Sequence, residues 1–243
     1  MKTFALSLLL SLPLLAAGDA LIVADEFPAM EVLAARLKTG AGVASTIVKQ
    51  AEMPADLSHY STVIVYIHGR LAEPAEKAFI DYANAGGKLI LVHHSISSGK
   101  RANRYWFPFL GVTLPLGELS AGGYKYFEEI DMEIVNLAPK HFITTNQVKY
   151  DGTVAYREKE LPAFELKDTE VYLNQVLTGE KTVLLGFKFR EAKSGVTYIE
   201  DTAGWYKKAG RGLVMYFMPG HSVTEFQNPA YAQILVNAVS FRP

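Results

Sequence analysis

Cysteine is absent from the 243 residues. The chain therefore has no disulfide and no thiol for lipid attachment. An excess of charge is also missing: the formal net charge is −1, which gives no argument for nucleic acid or an anionic membrane as a partner. Low-complexity tracts, internal repeats and linkers are missing too. The one long apolar run, residues 4–17, is interrupted by Ser7, Ser11 and Pro13 and falls short of the roughly 20 residues that span a bilayer. With Lys2 before it and small residues at 16–20, it reads as a secretory leader, cleaved after Gly18 or Ala20 and leaving no membrane contact. A cysteine-free exported chain suits a periplasm or the medium outside the cell. What remains, residues 21–243, has the length and the apolar content (49% of the whole sequence) of a single globular domain with a sizeable core.

Several catalytic signatures are also lacking. No Gly-x-Ser-x-Gly elbow is present, since the sequence around Ser95 is His93-His94-Ser95-Ile96-Ser97. Ser98-Gly99-Lys100 lacks the preceding glycine of a phosphate loop, and Thr39-Gly40-Ala41-Gly42 follows a helical stretch where a dinucleotide fingerprint would open one. No His-Glu-x-x-His pair occurs.

What is present is a repeated pattern. Residues 20–24, 62–67, 88–92 and 213–218 are short, almost wholly apolar runs, too uniform for one-sided surface strands. Each ends in chemistry: Asp25-Glu26, His68, His93-His94, and Pro219-Gly220-His221. Helical stripes fall between the earlier runs (Met30, Leu33, Ala34 and Leu37, ended by Gly40; then a helix from Pro74 with Ala75, Ala78, Phe79 and Tyr82). Asn228-Pro229 opens a last helix. The rhythm predicts an α/β fold with a parallel sheet covered on both faces, and ligands of such sheets bind at the carboxyl ends of the strands. Residues 128–206 read differently, as extended, partly alternating segments with a hairpin turn at Asp151-Gly152. They are expected to form an antiparallel elaboration of the same sheet.

In order along the chain, Leu57-Ser58-His59-Tyr60-Ser61, Gly86-Gly87 through His93, Tyr105-Trp106-Phe107-Pro108, His141-Phe142-Ile143-Thr144, Asp168-Thr169-Glu170-Val171-Tyr172 and Gly210-Arg211-Gly212 through His221 resemble the motifs of the ThuA-like (trehalose-utilisation) family. That family lies within the class I glutamine amidotransferase-like superfamily. The resemblance implies a flavodoxin-like doubly wound sheet and a pocket holding His93, Glu170, Tyr172 and His221. Phe142 stands where the family pattern has proline, and the first strand ends without the histidine-rich turn of many relatives. Glutamine amidotransfer itself is excluded, because that chemistry uses a cysteine nucleophile.

His93, His221 and Glu170 make a two-histidine, one-carboxylate set suited to a divalent metal such as zinc, manganese or iron. Without metal the same residues are candidate acid–base groups. His94, Trp106, Asp25 and His68 are expected to contact substrate beside Tyr172. Tyr105, Trp205 and Tyr206 are further candidate sugar-stacking faces, and Lys100, Arg101 and Arg104 either hold an anionic group or form a solvated basic loop. The preferred reading is an exported enzyme performing hydrolysis or elimination on a disaccharide or keto-sugar. A non-catalytic carbohydrate-binding or interaction module on the same fold stays open.

Overall fold

The apolar runs become strands because their side chains are buried on both faces of a central sheet. In the computed structural model, which describes residues 19–243, every residue of β1 (Ala20–Ala24), β3 (Thr62–Tyr66) and β12 (Gly212–Phe217) is buried. At roughly 1.5–3 kcal/mol for each fully buried Val, Leu or Ile, these strands dominate the core. The other elements of the first half are α1 (Pro28–Ala41), β2 (Ser45–Val48), α2 (Glu73–Asn84), β4 (Lys88–Val92), α3 (Trp106–Leu110) and β5 (Val112–Thr113). The second half contains β6 (Lys125–Asn136), α4 (Phe142–Thr145), β7 (Gly152–Tyr156), β8 (Lys159–Leu173), β9 (Val176–Leu177), β10 (Thr182–Arg190), β11 (Thr197–Ala209), α5 (Val223–Gln227) and α6 (Pro229–Ser240). The proposed leader lies almost wholly outside the described residues. None of the described helices is long and apolar enough to cross a membrane.

Ten strands form one sheet in the order β2-β1-β3-β4-β12-β11-β10-β6-β8-β7. The first five are parallel, a flavodoxin-like doubly wound half. From β11 onward the pairing is antiparallel. Helix α1 packs with α5 and α6, and α2 packs with α3 and against β4 and β12. Asn228 caps α6 as its motif predicts, its side chain accepting from the amides of Ala230 and Tyr231. Helix α1 outlasts Gly40 and is closed by Gly42 in the left-handed region (φ 67°).

The hairpin lies elsewhere than the Asp151-Gly152 signal predicts. Gly152 already pairs with Ala163, and the chain reverses at Arg157-Glu158, with Arg157 at φ 54°. Residues 147–150 form no strand, because Tyr150 packs on Phe164 and donates its hydroxyl to the Thr144 carbonyl. Tertiary packing here overrides a local turn preference.

Strands β6 and β8 also depart from simple alternation. Their register slips twice, between Phe127 and Ile130 and between Ile130 and Met132, so each strand carries one extra residue opposite the other. Glu129 (φ 53°) and Asp168 (φ 49°) mark these bulges. Paired bulges bend and twist a ribbon and re-aim its side chains. The arm made by 125–130 and 169–173 reaches the carboxyl ends of β4 and β12, where Glu170 meets His93 and His221.

Candidate metal centre at the strand carboxyl ends

His93, the residue after β4, has φ 51°. This left-handed conformation costs a non-glycine residue about 1–3 kcal/mol and persists only where surroundings over-determine it. Those surroundings are visible. The Tyr216 hydroxyl donates to the His93 carbonyl at 3.2 Å, and His93 Nδ1–H donates to the Met218 carbonyl at 2.7 Å. The strained strand-to-helix turn thus carries a fully buried imidazole.

The loop bearing His221 is held with similar tightness. Met218, Pro219 and Gly220 present their carbonyls to His93, to the Tyr231 hydroxyl (2.6 Å) and to the Tyr66 hydroxyl (2.8 Å). Buried Glu225 accepts the amides of Gly220 (2.7 Å) and Ser222 (3.1 Å). Gly220 has φ 140°, and an added Cβ would lie 2.8 Å from Val92 Cγ1 and 3.1 Å from His93 Cβ. Gly220→Ala is therefore expected to cost about 2–4 kcal/mol through strain and overpacking. Thermal unfolding measures this: a melting temperature within one degree of the parent's would contradict the steric account.

Glu170 stands at the centre. Its Oε2 lies 3.1 Å from His93 Nε2, 3.2 Å from His94 Nε2 and 3.1 Å from His221 Nδ1, with the Tyr172 hydroxyl at 3.3 Å. One ligand atom from each of His93, His94, Glu170 and His221 falls within a cluster no wider than 4.8 Å. Burial pushes the Glu170 carboxyl up, but its contacts with His93 and His94 outweigh burial and hold the group well below the usual range. Burial pulls His93 down despite Glu170, and pulls His94 to about 4.

These contacts fit a cation. A carbonyl can only accept, so His93 Nδ1 carries the proton facing Met218. Burial favours the neutral ring, in which Nε2 is a lone pair pointing at a carboxylate oxygen. The Tyr172 phenol, 3.3 Å from both atoms, has one proton for these two facing lone pairs. A divalent ion would satisfy both, and a histidine anchored through its other nitrogen by a backbone carbonyl is a common arrangement around metals. His94 Nδ1 is buried without a partner.

Beside this cluster, the ring of His68 lies over that of His94, centroids 3.8 Å apart. Asp25 accepts from the His68 backbone amide (2.7 Å) and from Nδ1 (3.1 Å). The hydrogen bond to Asp25 raises the His68 pKa against the opposing effect of burial. His68 is 31% exposed, whereas Glu170 is 4% exposed, so His68 lies on the open side.

Other expected site residues fall elsewhere. Trp106 does not face substrate: it is fully buried, donates Nε1–H to the Ser95 carbonyl and packs near Phe79. Trp205 is equally buried, Tyr206 packs on His141 and Phe241, and Tyr105 sits in a separate groove with Ile80 and Pro108. Ser95 is no free nucleophile, since its buried hydroxyl donates to the Val65 carbonyl at 2.6 Å. Asp168 turns away at its bulge, where its backbone amide donates to Asp131. The basic residues after β4 part company: Arg101 and Arg104 are exposed, whereas Lys100 turns inward and serves the fold. Lys100 is fully buried and donates to the carbonyls of Ile67 (2.6 Å), His68 (3.0 Å) and His94 (2.9 Å). Arg101 donates to the Leu114 carbonyl and lies over Tyr124, and Arg104 lies over Tyr105.

A family model described as trehalose utilisation, ThuA, matches residues 18–242. The chain belongs to the ThuA family. Similar solved structures include a ThuA-like protein from Bacteroides uniformis, at 17% identity and TM-score 0.63 over 91% of this chain and 89% of that one. A cytoplasmic protein from Salmonella typhimurium follows at 14% identity and TM-score 0.59, over 91% and 98%. The carbohydrate deacetylase Agd3 shares 12% identity and TM-score 0.55, over 90% of this chain but 32% of its own length. At such identities these likenesses show the fold. None of the curated proteins compared with the chain matches it.

Proposed function

We propose that this ThuA-family protein is a metal-dependent enzyme acting on a carbohydrate, by hydrolysis or elimination at a disaccharide or keto-sugar. The observation that carries the reading is the convergence of His93, His94, Glu170 and His221 on one point at the carboxyl edge of the sheet. Those four side chains are the cation ligands, so His94, expected from the sequence to contact substrate, joins the ligand set. The carbohydrate class rests on the family's link to trehalose utilisation, and the leader-like residues 1–20 support export.

A bound divalent cation would polarise a carbonyl or hydroxyl oxygen of the sugar. The chain's own residues supply the rest. His68 gives its Nδ1 proton to the hydrogen bond with Asp25, leaving Nε2 as the nitrogen that exchanges a proton on the solvent side of the site. From there it takes a proton from a sugar carbon or a water and returns one to the departing glycosidic oxygen. Tyr172, stacked on His93 with centroids 5.1 Å apart, holds that ring in place. A two-carboxylate glycosidase is disfavoured, since Glu170 is engaged by three histidines and Asp25 by His68.

The test is metal content after purification without chelator, beside a His93→Ala/His221→Ala double variant. Near-stoichiometric metal in the parent and none in a still-folded variant is the expected result. A parent that acquires no zinc, manganese or iron even when these are supplied would remove the metal-dependent mechanism.

A further inference from the structure

We infer that Tyr126 is a stacking platform for a second sugar ring beside the cation site, and that it makes the site select two-ring carbohydrates over single rings. The inference rests on the carbohydrate reading above and adds the residue that measures substrate length.

Tyr126 stands directly opposite Tyr172 in the β6–β8 ladder. Opposed residues of an antiparallel pair point to the same face, with Cβ atoms about 5 Å apart. On that face Tyr172 reaches Glu170 and His93 through its hydroxyl, so Tyr126 lies beside it on the neighbouring strand of the arm that covers the site. Tyr124, just before β6, packs on Tyr172 with centroids 5.9 Å apart. Three tyrosines thus line the inner face of the arm. Tyr172 and Tyr124 are buried, whereas Tyr126 is 53% exposed, and among the described residues no other aromatic ring packs on it.

A pyranose ring has an apolar face of C–H groups and a polar rim. A half-exposed tyrosine offers a matching surface, rigid through its short side chain and open on one side. The buried rings have no such free face. A sugar whose reacting oxygen meets the cation site would carry its second ring over Tyr126, and a monosaccharide would not reach it.

The experiment is equilibrium binding of a disaccharide panel (trehalose, sucrose, maltose) and of glucose to the purified protein, with Tyr126→Ala and Tyr126→Phe beside the parent. The expected result is an approximately tenfold loss of disaccharide affinity in Tyr126→Ala, a step of about 1.4 kcal/mol. Glucose binding, metal content and melting temperature stay at parental values, and Tyr126→Phe binds as the parent does. Equal affinity in parent and Tyr126→Ala overturns the inference, as does a Phe variant as weak as Ala, which would assign the role to the hydroxyl. A parent that binds glucose as tightly as every disaccharide overturns it while leaving the carbohydrate reading in place. A parent that binds neither removes both.

Discussion

Glu170→Gln is expected to abolish metal loading and turnover while leaving the sheet folded. The amide has nearly the shape of the carboxylate, so packing on Tyr172 is kept. Its charge is gone, and its nitrogen offers hydrogens where the carboxylate offered lone pairs. Three histidine nitrogens converge on Oε2 at 3.1–3.2 Å, so the substitution removes the group that neutralises whatever positive charge they share. Even changes to groups that merely orient a metal's ligands weaken binding by about 10–100-fold. Loss of the central ligand is expected to exceed about 100-fold, with turnover reduced by at least about 10³-fold, within the usual reach of acid–base and metal catalysis. Metal titration and assay on the winning sugar of a panel measure both. A Gln variant that binds metal within threefold of the parent would show that the histidines suffice and that Glu170 only orients them.

The second large effect is expected at Lys100. Its ammonium spends all three hydrogens on backbone carbonyls, two from the turn after β3 and one from the turn after β4. Burial lowers its pKa to about 7, with Asp25 pulling the other way. The Ile67 carbonyl is buried and those of His68 and His94 are partly so, and a buried carbonyl without a donor costs about 1–3 kcal/mol. Lys100→Met fills similar space and supplies no hydrogen, so the loss is expected at about 3–5 kcal/mol, a fall in melting temperature of roughly 10 °C for a chain of this size. Because the Ile67, His68 and His94 carbonyls would be released together, metal affinity is expected to fall as well. Thermal unfolding and metal titration on the same sample check this, and a drop under 2 °C would mean that water or a side-chain shift satisfies the carbonyls.

The sequence made one half of this molecule far more legible than the other, for a physical reason. In the parallel half each apolar strand ends where the chain leaves the core, so His68, His93, His94 and His221 could be placed on one edge before any geometry was known. Glu170 obeys no such rule. It sits inside a long strand whose alternation is interrupted by a bulge at Asp168, opposite a second bulge at Glu129 in the paired strand, so only family resemblance points to it. Trp106 misleads in the opposite sense: it stands in an aromatic run beside exposed Tyr105, yet its own indole turns inward. Lys100 stands in a run of basic residues, and sequence carries no sign that three carbonyls await an ammonium. Tyr126 has no signature of its own either, since only pairing with Tyr172 gives it a neighbour of interest.

The arm that delivers Glu170 ties the order of assembly to the chemistry. His93 meets a carboxylate 77 residues downstream and a carbonyl 125 residues downstream, so the centre is built from contacts of high sequence separation. Such contacts close large loops, and their entropy must be met before they give anything back. The parallel half can collapse on its own apolar strands, but a competent centre exists only after the antiparallel half has wrapped across the sheet edge. A cation seated there would bridge the two halves as a clasp and bind the finished protein in preference to its partly folded forms.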